Sequence, residues 1–157
     1  EDLTELRCQV ETTAARLAVR RGDVRWESEL IAIHHELSRT PRSTSLGAGE
    51  PFDDAWDAAH TSFHEHLIAG CGSDHFRRVA KNLADHTDIY RRWSAQSRQQ
   101  TDRDPAAEHR GLLEAALERD EDLLAARLRA HYELTADLIR KDFSTLHPEA
   151  SKEPEAQ

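Results

Sequence analysis

Trp56-Asp57-Ala58-Ala59-His60-Thr61-Ser62-Phe63-His64-Glu65-His66-Leu67-Ile68 decides how this chain is read. Its large apolar residues, Trp56, Phe63, Leu67 and Ile68, recur at spacings that close one face of a helix and suit no strand. The spacing predicts a helix over 52–70 with those four residues turned inward. His60 and His64 stand one turn apart on the same face, in line with the apolar residues. A helix that carries imidazoles along its buried side needs partners for them, so both the fold and the chemistry grow from this segment.

The flanking sequence repeats the helical pattern. Ala, Leu, Arg and Glu dominate, all strong helix formers, and there are only 6 glycines. A first helix is expected over 2–21, its stripe formed by Leu3, Leu6, Val10, Ala14 and Leu17. Gly22 follows at the C-terminal position where positive φ is cheap. A second helix over 24–39 carries Trp26, Leu30, Ile33 and Leu37. Residues 40–49 form a loop by composition, expected to be mobile. Beyond 52–70, Ser73 or Asp74 can cap a helix over 75–99, with Phe76, Val79, Leu83, Ile89 or Tyr90, and Trp93 inward. Asp102 or Asp104 before Pro105 marks the start of a helix over 105–118, and a last one follows over 121–143. These elements imply an all-α antiparallel bundle of six to seven helices over residues 1–147. The polar tail 148–157 is expected to be disordered.

The chain has 157 residues, enough for one well-buried core. Asp+Glu number 30 against Lys+Arg 21, a net charge of −9, which gives no electrostatic footprint for nucleic acid. No run of apolar residues is long enough to span a membrane. Cys8 and Cys71 have no metal-finger or redox spacing and read as buried thiols of a reducing cytoplasm. The sequence opens without Met and already inside a helical pattern, as expected of a fragment of something longer.

Ten histidines are unusual for this length. His109 precedes Leu112, Leu113, Ala116 and Leu117 on the inward stripe of its helix. His131 lies between Leu124, Leu128, Leu134 and Leu138 on the last one. With His60 and His64, four imidazoles from three helices point at the core. Burying them together is costly unless something accepts their lone pairs, and a divalent metal does so. His34 and His86 also fall on apolar stripes, so periodicity does not by itself select four of six. His35, His66, His75 and His147 read as solvated. No H-E-x-x-H helix, paired E-x-x-H elements, phosphate loop or nucleophile elbow is present. A metal here would have ligands without an obvious general base.

Three stretches, in order, resemble the all-helical C-terminal effector domain (FCD) of the FadR branch of GntR-type bacterial transcription regulators. Arg7, Val10, Glu11, Ala14 and Ala15 match its opening R-x-x-hydrophobic-E-x-x-A-A helix. Residues 60–73 resemble its D-x-x-F-H-x-x-L-x-x-A-x-G-N segment. Glu108-His109 through Ala115, with His131-Tyr132 beyond, resemble its closing E-H-x-x-L-x-x-A pair of helices. The resemblance spans about residues 1–143.

It implies a regulatory domain and not an enzyme; a metal-dependent enzyme or metal-binding bundle is the alternative. By motif position the metal ligands would be His60, His64, His109 and His131, with His60 standing where Asp is the commonest family residue. Four nitrogen ligands favour Zn²⁺, with Ni²⁺, Co²⁺ or Cu²⁺ as alternatives, over Mg²⁺ or Ca²⁺. They would also leave the ion's charge uncompensated and attractive to an anion. The implied effector is a small organic acid. Arg7 could grip its carboxylate bidentately or simply pair with Glu11, and Tyr90 and Arg91 could line the same cavity. The resemblance further implies a homodimer, a cytoplasmic repressor, and operator binding through an N-terminal winged-helix domain that this sequence lacks.

Overall fold

A computed structural model describes residues 2–41, 54–94 and 103–146, without the side chains of 89–94 and 142–146. Among the described residues the chain is an all-α bundle: α1 (Asp2–Arg21), α2 (Val24–Arg39), α3 (Asp54–Leu67), α4 (Asp74–Ser94), α5 (Pro105–Leu117) and α6 (Glu121–Leu146). A 3-10 turn at Ala69–Cys71 ends the third helix, which the sequence pattern carries to residue 70. The expected mobile loop falls almost wholly, and the expected tail entirely, outside the described residues.

Local chemistry sets the boundaries. Asp23 caps α2 by accepting a hydrogen bond from the Trp26 amide at 2.9 Å. Ser73 does the same for Phe76 at 3.4 Å, and Asp104, ahead of Pro105, for Ala107 at 3.0 Å. Gly22 is not needed for a positive φ, contrary to expectation; among the described glycines only Gly72 has one, at 70°. Gly22 is required by close packing instead, since a Cβ there would sit 2.3 Å from the Trp26 ring. Arg119 adopts a positive φ of 59° in the α5–α6 turn. From there its guanidinium donates to the carbonyls of Val19 at 2.6 Å and Gly22 at 2.7 Å and pairs with Glu27. One turn thereby holds the α1–α2 corner closed.

α1 packs against α6, α4 and the 3-10 turn; α2 packs against α3 and α5, and α5 against α6. α1 has neighbours on several sides, so its buried face is wider than the expected stripe, of which Ala14 is buried and Val10 and Leu17 pack partly buried against the core. Cys8, Ala14, Ala15 and Ala18 are fully buried, whereas Leu6 is 48% exposed. Small side chains let the helix axes approach, and the larger leucine is left outside. Val79 and Leu134, also expected inside, are exposed. The centre is filled by Leu30, Phe63, Leu67, Leu112, Leu124 and Leu128. Both cysteines are free and buried. No helix of the described residues is long and apolar enough to cross a membrane.

Candidate metal centre

Packing α3 against α5 and α6 brings four histidines together. His60, His64, His109 and His131 are all buried, and one nitrogen of each lies within 4.8 Å of the others. Around a tetrahedral zinc-like ion the nitrogens would stand roughly 3.3 Å apart, so modest side-chain rotation would close the set onto one ion. Ring centroids stand 4.6 Å apart for His60 and His64, and 4.9 Å apart for His109 and His131. Trp56 stacks on His60 at 4.8 Å, and Phe63 meets the edges of His64 and His109.

Burial, reinforced by the neighbouring imidazoles, holds His64 well below its ordinary pKa. Burial likewise leads in bringing His109 to about 3 and in lowering His131. These three imidazoles are therefore neutral at pH 7, the form that a metal ion requires. Nε2 of His64 and Nε2 of His109 are buried with no hydrogen-bond partner. Buried polar atoms rarely stay unpaired, and two orphaned imidazole nitrogens in one four-histidine cluster fit a divalent ion of the nitrogen-preferring class.

The other histidines are sorted by the same packing. His34 is half-buried, its ring edge-on to Phe63 at 5.5 Å. His86 is exposed despite its place in the pattern, and so are His35 and His75. His66 is not simply solvated: it is half-buried, and its carbonyl accepts from the Trp26 indole at 2.9 Å. His147 lies outside the described residues.

Behind the imidazoles stand groups that the sequence reading did not assign to them. The Tyr132 hydroxyl donates to Glu11 and lies 3.3 Å from Nδ1 of His64. Since its one proton goes to Glu11, the hydroxyl oxygen is left to accept from His64 Nδ1–H. Glu11, 2% exposed, also accepts from Arg7 Nε at 2.6 Å. Arg7 lies over the Tyr132 ring at 4.0 Å and donates to Thr87 at 2.6 Å. On the other side, His131 Nδ1 is 2.7 Å from Glu108, which Arg103 holds with two hydrogen bonds of 2.7 Å. Burial pushes the Glu108 carboxyl up, but the hydrogen bonds from Arg103 and His131 outweigh it and bring it to about 2. The signals were adjacency and helical spacing: Glu108 precedes His109, Tyr132 follows His131, and Glu11 is one turn from Arg7.

A cavity of about 510 Å³ opens beside the cluster, lined by Arg7, Glu11, His60, His64, Ile68 and Arg78 among others. Arg7 also lines a second cavity of about 660 Å³, with Leu3, Thr87 and Tyr132. Tyr90 and Arg91 lie on α4, but their side chains are outside the described residues.

Residues 2–134 match the FCD domain family. The chain is 31% identical over 140 residues to an uncharacterized HTH-type transcriptional regulator, BphR, of Paraburkholderia xenovorans (strain LB400), covering 89% of this chain and 56% of that protein. It is 31% identical over 134 residues to the HTH-type transcriptional repressor GlaR of Escherichia coli (strain K12), covering 83% and 59% respectively. The chain thus spans a little over half the length of these curated relatives.

Proposed function

This chain belongs to the FCD domain family, and from that premise we propose that it is the metal-containing effector-sensing module of a GntR-type transcription regulator. Both relatives carry the names of transcriptional regulators, and with a regulatory domain family the alternative of a metal-dependent enzyme falls away. His60, His64, His109 and His131 hold one divalent ion, Zn²⁺ before Ni²⁺, Co²⁺ or Cu²⁺. The observation that carries this reading is the pair of buried, unpartnered Nε2 atoms in a cluster bordering a cavity.

When bound, the ion would supply a positive charge beside the cavity that His60 and His64 line, and so attract an anion. The chain's own residues do the rest. Glu11 and Tyr132 keep Nδ1 of His64 engaged, so Nε2 faces the cluster. Arg7 presents its guanidinium to the cavity from α1. Glu11 and Glu108 are each matched by an arginine, so the outer groups add no net charge and the site keeps its preference for an anion. The effector is a small organic acid that reaches the ion at one end and Arg7 at the other, in a pocket of ordinary ligand size.

Its binding alters operator affinity through an N-terminal winged-helix domain, and the regulator works as a cytoplasmic homodimeric repressor. Tyr90 and Arg91 complete the effector pocket from α4. Elemental analysis of tag-free protein tests the metal, with about one equivalent of a transition ion per chain expected. Thermal-shift screening of metabolites on metal-loaded and metal-stripped protein tests the effector.

A further inference from the structure

The geometry points to Glu108, clamped by Arg103, as the positioning residue of His131: it fixes the imidazole with its proton on Nδ1 and Nε2 turned to the cluster. This rests on the reading of the four histidines as one metal centre. The start of α5 is already capped, because the Asp104 side chain accepts from the Ala107 amide at 3.0 Å. Glu108 is thus free of capping duty, and its carboxylate is directed across to α6.

Each of its oxygens is committed. Oε1 accepts from Arg103 Nε at 2.7 Å, and Oε2 accepts from Arg103 Nη2 at 2.7 Å and from His131 at 2.7 Å. A fork paired with both oxygens of a carboxylate orients it strongly. An ionised carboxylate can only accept, so the 2.7 Å contact requires the proton on His131 Nδ1. Arg103 Nη2 also lies 3.3 Å from Nδ1 and 3.4 Å from the His131 carbonyl. Without Glu108, Arg103 could donate to Nδ1, and the proton would move to Nε2, the nitrogen a metal needs bare. Glu108 therefore decides between a ligating and a non-ligating tautomer. His109, the next residue, is itself in the cluster, so one turn of α5 supplies a ligand and orients a second one on α6.

The test uses the 157-residue chain with Glu108→Ala and Glu108→Gln. Long-range ¹⁵N–¹H correlation spectra of the metal-free proteins at neutral pH report the His131 tautomer. The wild-type chain should show Nδ1–H; Glu108→Gln, whose amide oxygen still accepts, should keep it; Glu108→Ala should move toward Nε2–H. Zn²⁺ affinity, read by competition with a chromophoric chelator, should fall roughly 10–100-fold in Glu108→Ala, the usual range for losing such a partner, and less in Glu108→Gln. An Nε2–H tautomer in the wild-type chain overturns the proposal, as does wild-type affinity with unchanged tautomer in Glu108→Ala. The wild-type spectrum decides even if Glu108→Ala fails to fold. A wild-type chain that shows Nδ1–H but takes up no Zn²⁺ sinks the metal reading while leaving the hold of Glu108 on His131 intact.

Discussion

Tyr132 and His64 sit on different helices, yet the phenol oxygen stands 3.3 Å from Nδ1 of the imidazole. The same hydroxyl donates to Glu11 on a third helix, which in turn holds Arg7. One hydroxyl thus joins a cluster histidine to the arginine at the cavity wall.

Tyr132→Phe removes that junction while keeping the ring under Arg7. It leaves a Glu11 oxygen and His64 Nδ1 short of a partner in a buried setting, at a cost of about 1–3 kcal/mol. Urea denaturation of the metal-free chain should show a loss of that size. A midpoint equal to wild type would mean that water replaces the hydroxyl and that the junction is dispensable.

The histidines make the metal-free domain sensitive to acid. Burial leads in lowering His64, His109 and His131, with His109 at about 3. In the unfolded chain they titrate near 6.5. As pH falls below about 6.5 the unfolded chain takes up protons that the folded one refuses, so stability is lost, with His109 alone contributing down to about pH 3. Above about 6.5 the contribution is complete and stability is flat in these groups. Each tenfold difference in proton affinity between the folded and unfolded chains is worth about 1.4 kcal/mol, so the loss should amount to several kcal/mol. Denaturation midpoints measured from neutral to acid pH on stripped protein should fall steadily. Independence of pH across this window would contradict the neutrality of these three buried imidazoles.

The double variant His64→Ala, His109→Ala removes both orphaned nitrogens. It should lose nearly all bound metal, and with it the stabilisation that metal binding lends to folding. Full occupancy by elemental analysis would show that other residues hold the ion.

How much of this was legible in the sequence follows from periodicity. The order and type of the helices, and the inward set His60, His64, His109 and His131, came from spacing and family motif. What spacing could not reveal was how wide a face of α1 is buried. That depends on how many neighbours a helix has: the pattern placed Ala14 inward, but only the packing shows that Cys8, Ala15 and Ala18 join it there while Leu6 does not. The role of Gly22 was likewise hidden, because the Trp26 ring that excludes a Cβ reaches it through tertiary structure. Glu11, Glu108 and Tyr132 were visible as letters in the motifs, but their link to the imidazoles needs three helices in register. Arg103 carried no motif at all.

Gly22→Ala tests the close approach at the α1–α2 corner. The added carbon would meet the Trp26 ring at 2.3 Å and the Ala18 carbonyl at 2.7 Å, so backbone or indole must move. Overpacking of this kind costs about 1–3 kcal/mol. The same change at Gly70, where the nearest atoms are 3.1 Å away or more, should cost less. A thermal melt in which Gly22→Ala is as stable as wild type would remove the packing account of this glycine.

The effector prediction turns on competition for Arg7. Its guanidinium is already engaged by Glu11 at 2.6 Å and Thr87 at 2.6 Å, so a ligand carboxylate must share or displace those partners. The ion, not the arginine, should then supply most of the attraction, and Arg7 should supply selectivity. Carboxylates are expected to stabilise the metal-loaded chain by roughly 2.7 kcal/mol at a hundredfold excess over the dissociation constant, and the stripped chain far less. Arg7→Lys keeps the charge but loses the bidentate fork, so it should flatten discrimination among carboxylates more than it weakens the best one. Thermal-shift titrations of both proteins, with and without metal, measure this. Equal stabilisation of loaded and stripped chains by carboxylates, or best hits that are neutral or cationic, would make the metal purely structural and refute two-point recognition.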